Sequence, residues 1–397
     1  MASTVEKRID TLSKEIDTLA KECQNKEDAR KKLLGAIIQG MAKVESPVET
    51  IWRILMSPNV NSALMTVIRA RLLPPLVNNK QPQTAKQLSE ATGAEELLII
   101  RLMRPLTQLG IFQETAPQTY TSTPISQLLI TPPLQGGYEF VFAGAVQSLA
   151  GLPFYLERNG FKNVSGTPGP FQDFKKDPNM GMFDWLNAEP RYLTNFNNFM
   201  SGQRMNRKDW YDFFPVNKIL FKDADPSPDS VLLIDIAGGE GHDADAFHKR
   251  FPNHPGKVIL QDLPPTIDNI KEGQIDSAVV QMKHDFFTEQ PIKGAKAYYF
   301  RSIFHDWPDS ECVKIMKQTA AAMKKGYSKL IVFEFVLPEQ NTPLYPALLD
   351  IHMMALFNGM ERMKAQWEAI LEQAGLKAVK FWTIADDVET LIEAELA

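Results

Sequence analysis

The stretch Val231–Gly241, VLLIDIAGGEG, read together with Val258–Asp262, VILQD, decides the fold. An apolar run broken only by Asp235 and ending in a glycine-rich turn predicts a buried parallel strand that delivers its C-terminal end to a ligand. Glycines belong there because the chain must turn sharply into a helix while its backbone approaches that ligand closely. A helix of about Asp243 to Phe251 then leads to a second apolar strand that stops at Asp262. A carboxylate roughly 20 residues beyond the glycines suits a two-pronged grip on a ribose diol.

The turn reads Ala237-Gly238-Gly239-Glu240-Gly241, which is not the GxGxxG of a dinucleotide site. Glu240 would repel phosphate, so a nucleoside without phosphate, such as S-adenosylmethionine, fits better. The chain has 397 residues with 44% hydrophobic and 23% charged, an ordinary composition for two globular domains. A formal net charge of −5 argues against nucleic acid or an anionic membrane as the main partner. Two cysteines, Cys23 and Cys312, cannot build a disulfide framework or a thiolate metal site, and they point to a reducing compartment. Met1–Asp10 is polar and charged, with no sign of a signal peptide, and no apolar run approaches a membrane span, so a cytoplasmic protein is expected.

Val5, Ile9, Leu12, Ile16, Leu19 and Cys23 follow the heptad rhythm of a helical seam, read equally as a short coiled coil or one amphipathic helix. Ser46-Pro47 starts a new helix with a cap and a first-turn proline, and Val48 to Leu73 is apolar enough to need a partner surface. Thr84–Phe112 reads as helix, turn at Gly93, helix, and Gln113–Ser126 as a Thr-rich hairpin, together a winged helix. Its Lys86, Arg101 and Arg104 are offset by Glu90, Glu95 and Glu96, which leaves no footprint for DNA and favours a dimerisation scaffold. Pro168–Asn217 is rich in aromatics and methionines, Phe171, Trp185, Phe196, Met200, Met205 and Trp210 among them. Most are core, and some face a flat ligand. After Asp262 strand and helix alternate to the end of the chain, as in a parallel sheet: Val279–Phe287, Ala297–Phe304 and Lys329–Phe335 are strands, and Val379–Ile384 is the last. Ligands sit beyond the carboxyl ends of such strands, so Gly239, Asp262, Asp285, Arg301 and His305 should converge.

Tyr299–Asp309, YFRSIFHDWPD, is the most specific stretch. A histidine at a strand end, at the mouth of a nucleoside site, is placed to take a proton. Asp306 or Asp309 reads as a cap for the helix starting at Pro308. The order IDIAGGEG, VILQDLP, KHDFF, FRSIFHDWPD, VFEFVLPE and FNGMERMKAQW resembles the plant- and fungal-type S-adenosylmethionine-dependent O-methyltransferases of the caffeic acid O-methyltransferase group, over nearly the whole chain. Asn195–Arg204, NFNNFMSGQR, is similar to the fungal branch in particular.

The resemblance implies an α/β fold, a class I methyltransferase Rossmann-like sheet behind an N-terminal all-helical, winged-helix dimerisation domain. It divides the chain into a heptad segment (1–45), a dimerisation domain (46–130), a helical substrate-pocket region (131–225) and a catalytic domain that binds S-adenosylmethionine (226–397). It implies that Gly238, Gly239 and Gly241 line the methionine moiety, Asp262 the ribose, and Asp285 and Phe286 the adenine. Arg301 stands where the family has a lysine near the cofactor. His305 matches the catalytic base and Glu334 and Glu361 two carboxylates that flank it, although Glu361 beside Arg362 reads equally as a surface ion pair. Phe196, Met200, Met354, Asn358 and Asp306 fall in the substrate pocket, while His352 matches nothing catalytic.

The chain departs from the family pattern at Ala237, where a glycine is usual, a small change unless φ is positive. It departs again at Met363-Lys364, and in a shortened Phe357–Glu361 segment that loosens the register of Glu361. The expected function is methylation of a phenol or enol hydroxyl of an aromatic or polyketide-type metabolite by a homodimer, with no metal. The alternative is a pericyclase or dehydratase of the same fold that uses the cofactor only as a bound charge.

Overall fold

The computed structural model describes residues 4–202, 207–385 and 388–397. Gln203 and Arg204 of the fungal-type stretch, and Met205, lie outside the described residues. The chain divides into two compact units, Met1–Ile125 and Ser126–Ala397.

In the first unit, helices Thr4–Glu22 and Glu27–Val44 precede Pro47–Arg69, whose first turn is closed by a reciprocal Ser46–Glu49 capping box. Helices Ala85–Thr92 and Glu96–Gln108 meet at Gly93, which takes the left-handed φ of +77° that ends the first of them. Strands Phe112–Ala116 and Thr119–Ser122, with Gln83–Thr84 on the far edge, complete the expected winged helix around Leu88, Ile99, Met103, Leu106 and Tyr120.

The second unit is built on a seven-stranded sheet: β1 (Val231–Ile236), β2 (Lys257–Asp262), β3 (Val279–Lys283), β4 (Ala297–Arg301), β5 (Lys329–Glu334), β6 (Leu376–Trp382) and β7 (Thr390–Leu396). Their order across the sheet is 6-7-5-4-1-2-3. The first five are parallel, and β7 runs antiparallel between β5 and β6. Alternate residues serve the two faces: Ile234, Tyr298 and Val332 pack into one core, Leu233, Tyr299 and Ile331 into the other. Burial on both faces is why these strands read as continuous apolar runs. The chain leaves β1 in one direction through β2 and β3 and returns on its other side as β4, which makes the β1/β4 boundary the switch point where a ligand crevice opens.

The expectation of a parallel sheet ending at Val379–Ile384 is corrected by β7, a final antiparallel strand. Its sequence TLIEAEL looks like an acidic tail, yet Glu393 is buried, paired with Lys329 Nζ at 3.2 Å and accepting from the Trp382 indole at 3.1 Å. The expectation that no apolar run approaches span length is corrected too. Helical turns run unbroken through Pro132–Arg158, long and apolar enough by composition alone to cross a membrane, although Phe140, Ala145 and Leu152 of this stretch are buried in the protein.

Ala237 follows β1 with φ +58°, so the substitution of the family glycine is not neutral. A left-handed alanine costs roughly 1–2 kcal/mol, offset in part by the smaller entropy it loses on folding. Ala237→Gly is therefore expected to stabilise the protein by about 0.5–1 kcal/mol in urea unfolding. Gly238→Ala, whose Cβ would lie 2.6 Å from Asp235 Cγ and Leu260 Cδ1, should destabilise it.

Candidate active site

The turn after β1 is pinned to β2. Gly239 donates its N–H to Asp262 Oδ2 at 2.8 Å, and Leu263 donates to Oδ1 at 2.7 Å. The Thr266 side chain donates to this carboxylate as well, so of its roughly four lone-pair sites about one stays open to a ligand hydroxyl. Gly239 has φ +60° and open space where a Cβ would stand, a cradle that a side chain would fill. Glu240 faces away to accept from Gln274 Nε2 at 2.7 Å. These features fit a ribose-bearing ligand without phosphate. β3 joins the site because His284 N–H donates to the Asp262 carbonyl at 2.9 Å, which sets Asp285 and Phe286 beside it. The Phe286 ring meets Trp307 edge-on at 6.0 Å. Arg301 is held differently from a free cofactor ligand: its guanidinium donates to Asp243 at 3.1 Å and Glu389 at 3.3 Å.

His305 lies in the 3-10 turn Phe304–Asp306 that follows β4. Its Nδ1 is 2.7 Å from Glu361 Oε1. A carboxylate can only accept here, so Nδ1 carries a proton and Nε2 is the ring nitrogen that Glu361 does not engage. Burial by itself would lower the imidazole, but the negative charges of Glu361 and Asp306 outweigh it and raise His305 to about 10. Asp306 Oδ1 is 3.6 Å from Nε2, and burial pushes its carboxyl up to about 7 against the pull of His305. The helix beginning at Asp309 has no side-chain cap, so neither Asp306 nor Asp309 plays that part.

Glu334 acts on His305 through its charge, which helps to raise the imidazole, and through the backbone of the turn. Its Oε1 accepts from the Ile303 and Phe304 N–H groups at 2.9 and 2.6 Å, and Oε2 from the His305 N–H at 3.0 Å. Glu361 is buried rather than in a surface ion pair. Its neighbour Arg362 is buried too, spending its guanidinium on Asp309 and on the Phe304 and Trp307 carbonyls at 2.8 and 2.7 Å. Gly359 packs so closely that a Cβ there would sit 2.0 Å from the His305 carbonyl oxygen. Met360 N–H donates to that oxygen at 3.0 Å, and Asp350 accepts from Glu361 N–H at 2.9 Å. The shortened Phe357–Glu361 segment thus fixes the register that the sequence left loose.

The aromatic residues of the implied substrate pocket pack on one another. Phe196 meets Phe140 at 5.2 Å and Phe183 at 6.2 Å, and Phe183 meets Phe357 at 5.5 Å. Met354 is half-buried, Met200 is exposed, and Asn358 is buried with a left-handed φ of +60°. Asn358 Oδ1 and Glu361 Oε2 are buried without a hydrogen-bond partner among the described residues, acceptors available to a ligand. His352, set aside from the sequence, is electrostatically linked to the site: burial and the charge of His305 lower it to about 4, so it stays neutral. No local motif marks it. Among the described residues no group of His, Cys, Asp and Glu could hold a metal.

Residues 216–377 match the family model of an O-methyltransferase domain, and residues 52–132 that of an O-methyltransferase dimerisation domain. The chain is similar to O-methyltransferase asqD of Emericella nidulans, 38% identical over 309 residues that span 78% of this chain and 79% of that protein. Two solved structures superpose with a TM-score of 0.91 at 26% identity. One is described as a pericyclic reaction enzyme (98% of this chain, 100% of that one), the other as LepI in complex with S-adenosylmethionine (98% and 99%).

Glu334→Gln would turn an amide N–H toward the His305 N–H and leave donors unsatisfied. It is expected to cost about 2–4 kcal/mol in urea unfolding, more than an exposed Glu372→Gln control.

Proposed function

Since the chain belongs to the S-adenosylmethionine-dependent O-methyltransferase family, we propose that it methylates a phenol or enol hydroxyl of a small aromatic or polyketide-type metabolite with His305 as general base. The observation that carries this reading is the 2.7 Å contact between His305 Nδ1 and Glu361. Bound S-adenosylmethionine supplies an electrophilic methyl group. Gly238, Gly239 and Gly241 would make room for it, Asp262 would accept a ribose hydroxyl, and Asp285 and Phe286 would border its adenine. Arg301, through Asp243, would brace the helix that follows the glycines. Phe196, Met354 and Asn358 would hold the acceptor, with Met200 at its rim.

The chain's own part is proton management. A phenol with a pKa of about 10 is ionised to roughly one part in a thousand at pH 7. An ordinary imidazole, near 6.5, would take its proton uphill by about 5 kcal/mol. With His305 raised to about 10, transfer from the hydroxyl to Nε2 is nearly level. Glu361 Oε1 holds Nδ1–H and stabilises the imidazolium, and Glu334 keeps the turn that aims the ring. The reactive state holds one proton between Nε2 and the substrate oxygen, so kcat/KM should rise about tenfold per pH unit from 7 to 9 as the second proton leaves.

A second reading, a pericyclase or dehydratase that keeps the cofactor intact as a positive charge, is favoured by the likeness to a pericyclic reaction enzyme and by a His305 that is a cation at neutral pH. The dimerisation match supports a homodimer, and the free thiols Cys23 and Cys312 agree with a reducing, cytoplasmic setting. The deciding experiment follows methyl-labelled S-adenosylmethionine with a panel of phenols, enols and pyridones. Methyl transfer predicts label in product, one S-adenosylhomocysteine per turnover, and a 100- to 10,000-fold lower kcat in His305→Ala, on the order expected for a lost general base. Product of unchanged or water-depleted mass, formed with the cofactor required but not consumed, contradicts it and leaves the second reading.

A further inference from the structure

The helix Leu344–Phe357, which leads to Glu361, is tied to the glycine turn by a chain of four alternating charges. Asp243 is the second residue of the helix His242–Arg250, which that turn opens. Its carboxylate accepts from the Tyr299 hydroxyl at 2.7 Å and from Arg301 Nη1 at 3.1 Å. Arg301 Nη2 donates to Glu389 Oε1 at 3.3 Å, and Arg207 Nη1 lies 2.8 Å from the same oxygen. Arg207 then reaches the far helix. Its Nη2 donates to the Tyr345 hydroxyl at 3.2 Å, and its guanidinium stands 5.7 Å from the Tyr345 ring and 6.0 Å from that of Phe335.

The side chains of Asp243, Arg301 and Glu389 are only 5–15% exposed, and that of Arg207 25%. Buried ion pairs add little net stability over apolar packing, but removing one member strands its neighbours. The four charges therefore act as a unit. At one end, Ala237, Gly239 and Gly241 of the turn all have positive φ, and a ligand in the open cradle at Gly239 would restrain the path into Asp243. At the other end stands a rod of 14 residues, about 20 Å long, whose Asp350 accepts from the Glu361 N–H. We infer that Arg207 is a positioning residue through which occupancy of the cofactor turn stiffens the helix Leu344–Phe357, and with it the Glu361 side of the His305 pair. The inference rests on the proposed S-adenosylmethionine site, and it makes a filled cofactor turn the condition for a fully ordered acceptor side.

The test is hydrogen exchange of the full chain with and without S-adenosylhomocysteine, alongside calorimetric affinity for the same probe, in wild type, Arg207→Met and an exposed control, Lys208→Met. In wild type the probe should slow exchange in His242–Arg250 and also, about fivefold or more, in Leu344–Phe357, the low end of ordinary coupling between sites. Arg207→Met should bind the probe no more than about tenfold more weakly and keep the slowing in His242–Arg250, while the slowing in Leu344–Phe357 falls below about twofold. A merely structural loss would loosen that helix equally with and without the probe. Lys208→Met should behave as wild type. If Arg207→Met does not bind the probe, Tyr345→Phe, which removes only the hydroxyl at the end of the chain of contacts, takes its place, with the slowing of Leu344–Phe357 at least halved. Slowing of Leu344–Phe357 that survives in the variant overturns the inference, as does a wild-type helix that the bound probe leaves unchanged. A wild type that does not bind the probe overturns the cofactor site of the proposed function, and the inference falls with it.

Discussion

A buried imidazole cannot stay charged unless a carboxylate shares its surroundings, and a buried carboxylate beside it pays its own desolvation unless the imidazole is a cation. His305 and Glu361, 2.7 Å apart, stand in that mutual dependence. Removing either partner strands the other, so everything near them acts to keep the distance and the angle. Because the folded His305 value lies above the ordinary 6.5, the pair's contribution to stability is complete below that pH and is lost as pH rises through about 10. In the proposed reaction the same shift would match the histidine, as base, to a phenol.

The fold supplies the two sides of the pair from distant parts of the chain. His305 follows β4, whose end faces the switch point of the sheet, and Glu361 follows the helix Leu344–Phe357. What joins them is mostly backbone. Glu334, at the end of β5, collects three N–H groups of residues 303–305, and Arg362 collects the carbonyls of Phe304 and Trp307. Gly359 lets the second segment lie against the first. Buried charges of both signs thus clamp one short turn from either side, so the ring is aimed before any substrate arrives.

The parts legible in the sequence are those whose local pattern has one physical meaning: a glycine turn after an apolar strand, a carboxylate at the next strand end, a histidine after a third. β7 was not legible, because its glutamates read as solvated until Lys329 and Trp382 arrive from elsewhere to neutralise or bond them. The three amide bonds of Glu334 were not legible for a related reason. A glutamate at a strand end looks the same in one dimension with or without such bonds, and only the tertiary path of residues 303–305 decides. Ala237 shows the converse, a residue plainly visible whose consequence depends on a φ of +58° that no residue name reveals.

The central claim is that Glu361 and Asp306 raise His305 far above an ordinary histidine, and the most direct measurement is its titration by nitrogen-15 NMR in wild type and Glu361→Gln. The account predicts a wild-type midpoint near about 10 that falls toward the ordinary range in the variant. A wild-type midpoint near 6.5, unmoved by Glu361→Gln, would contradict it.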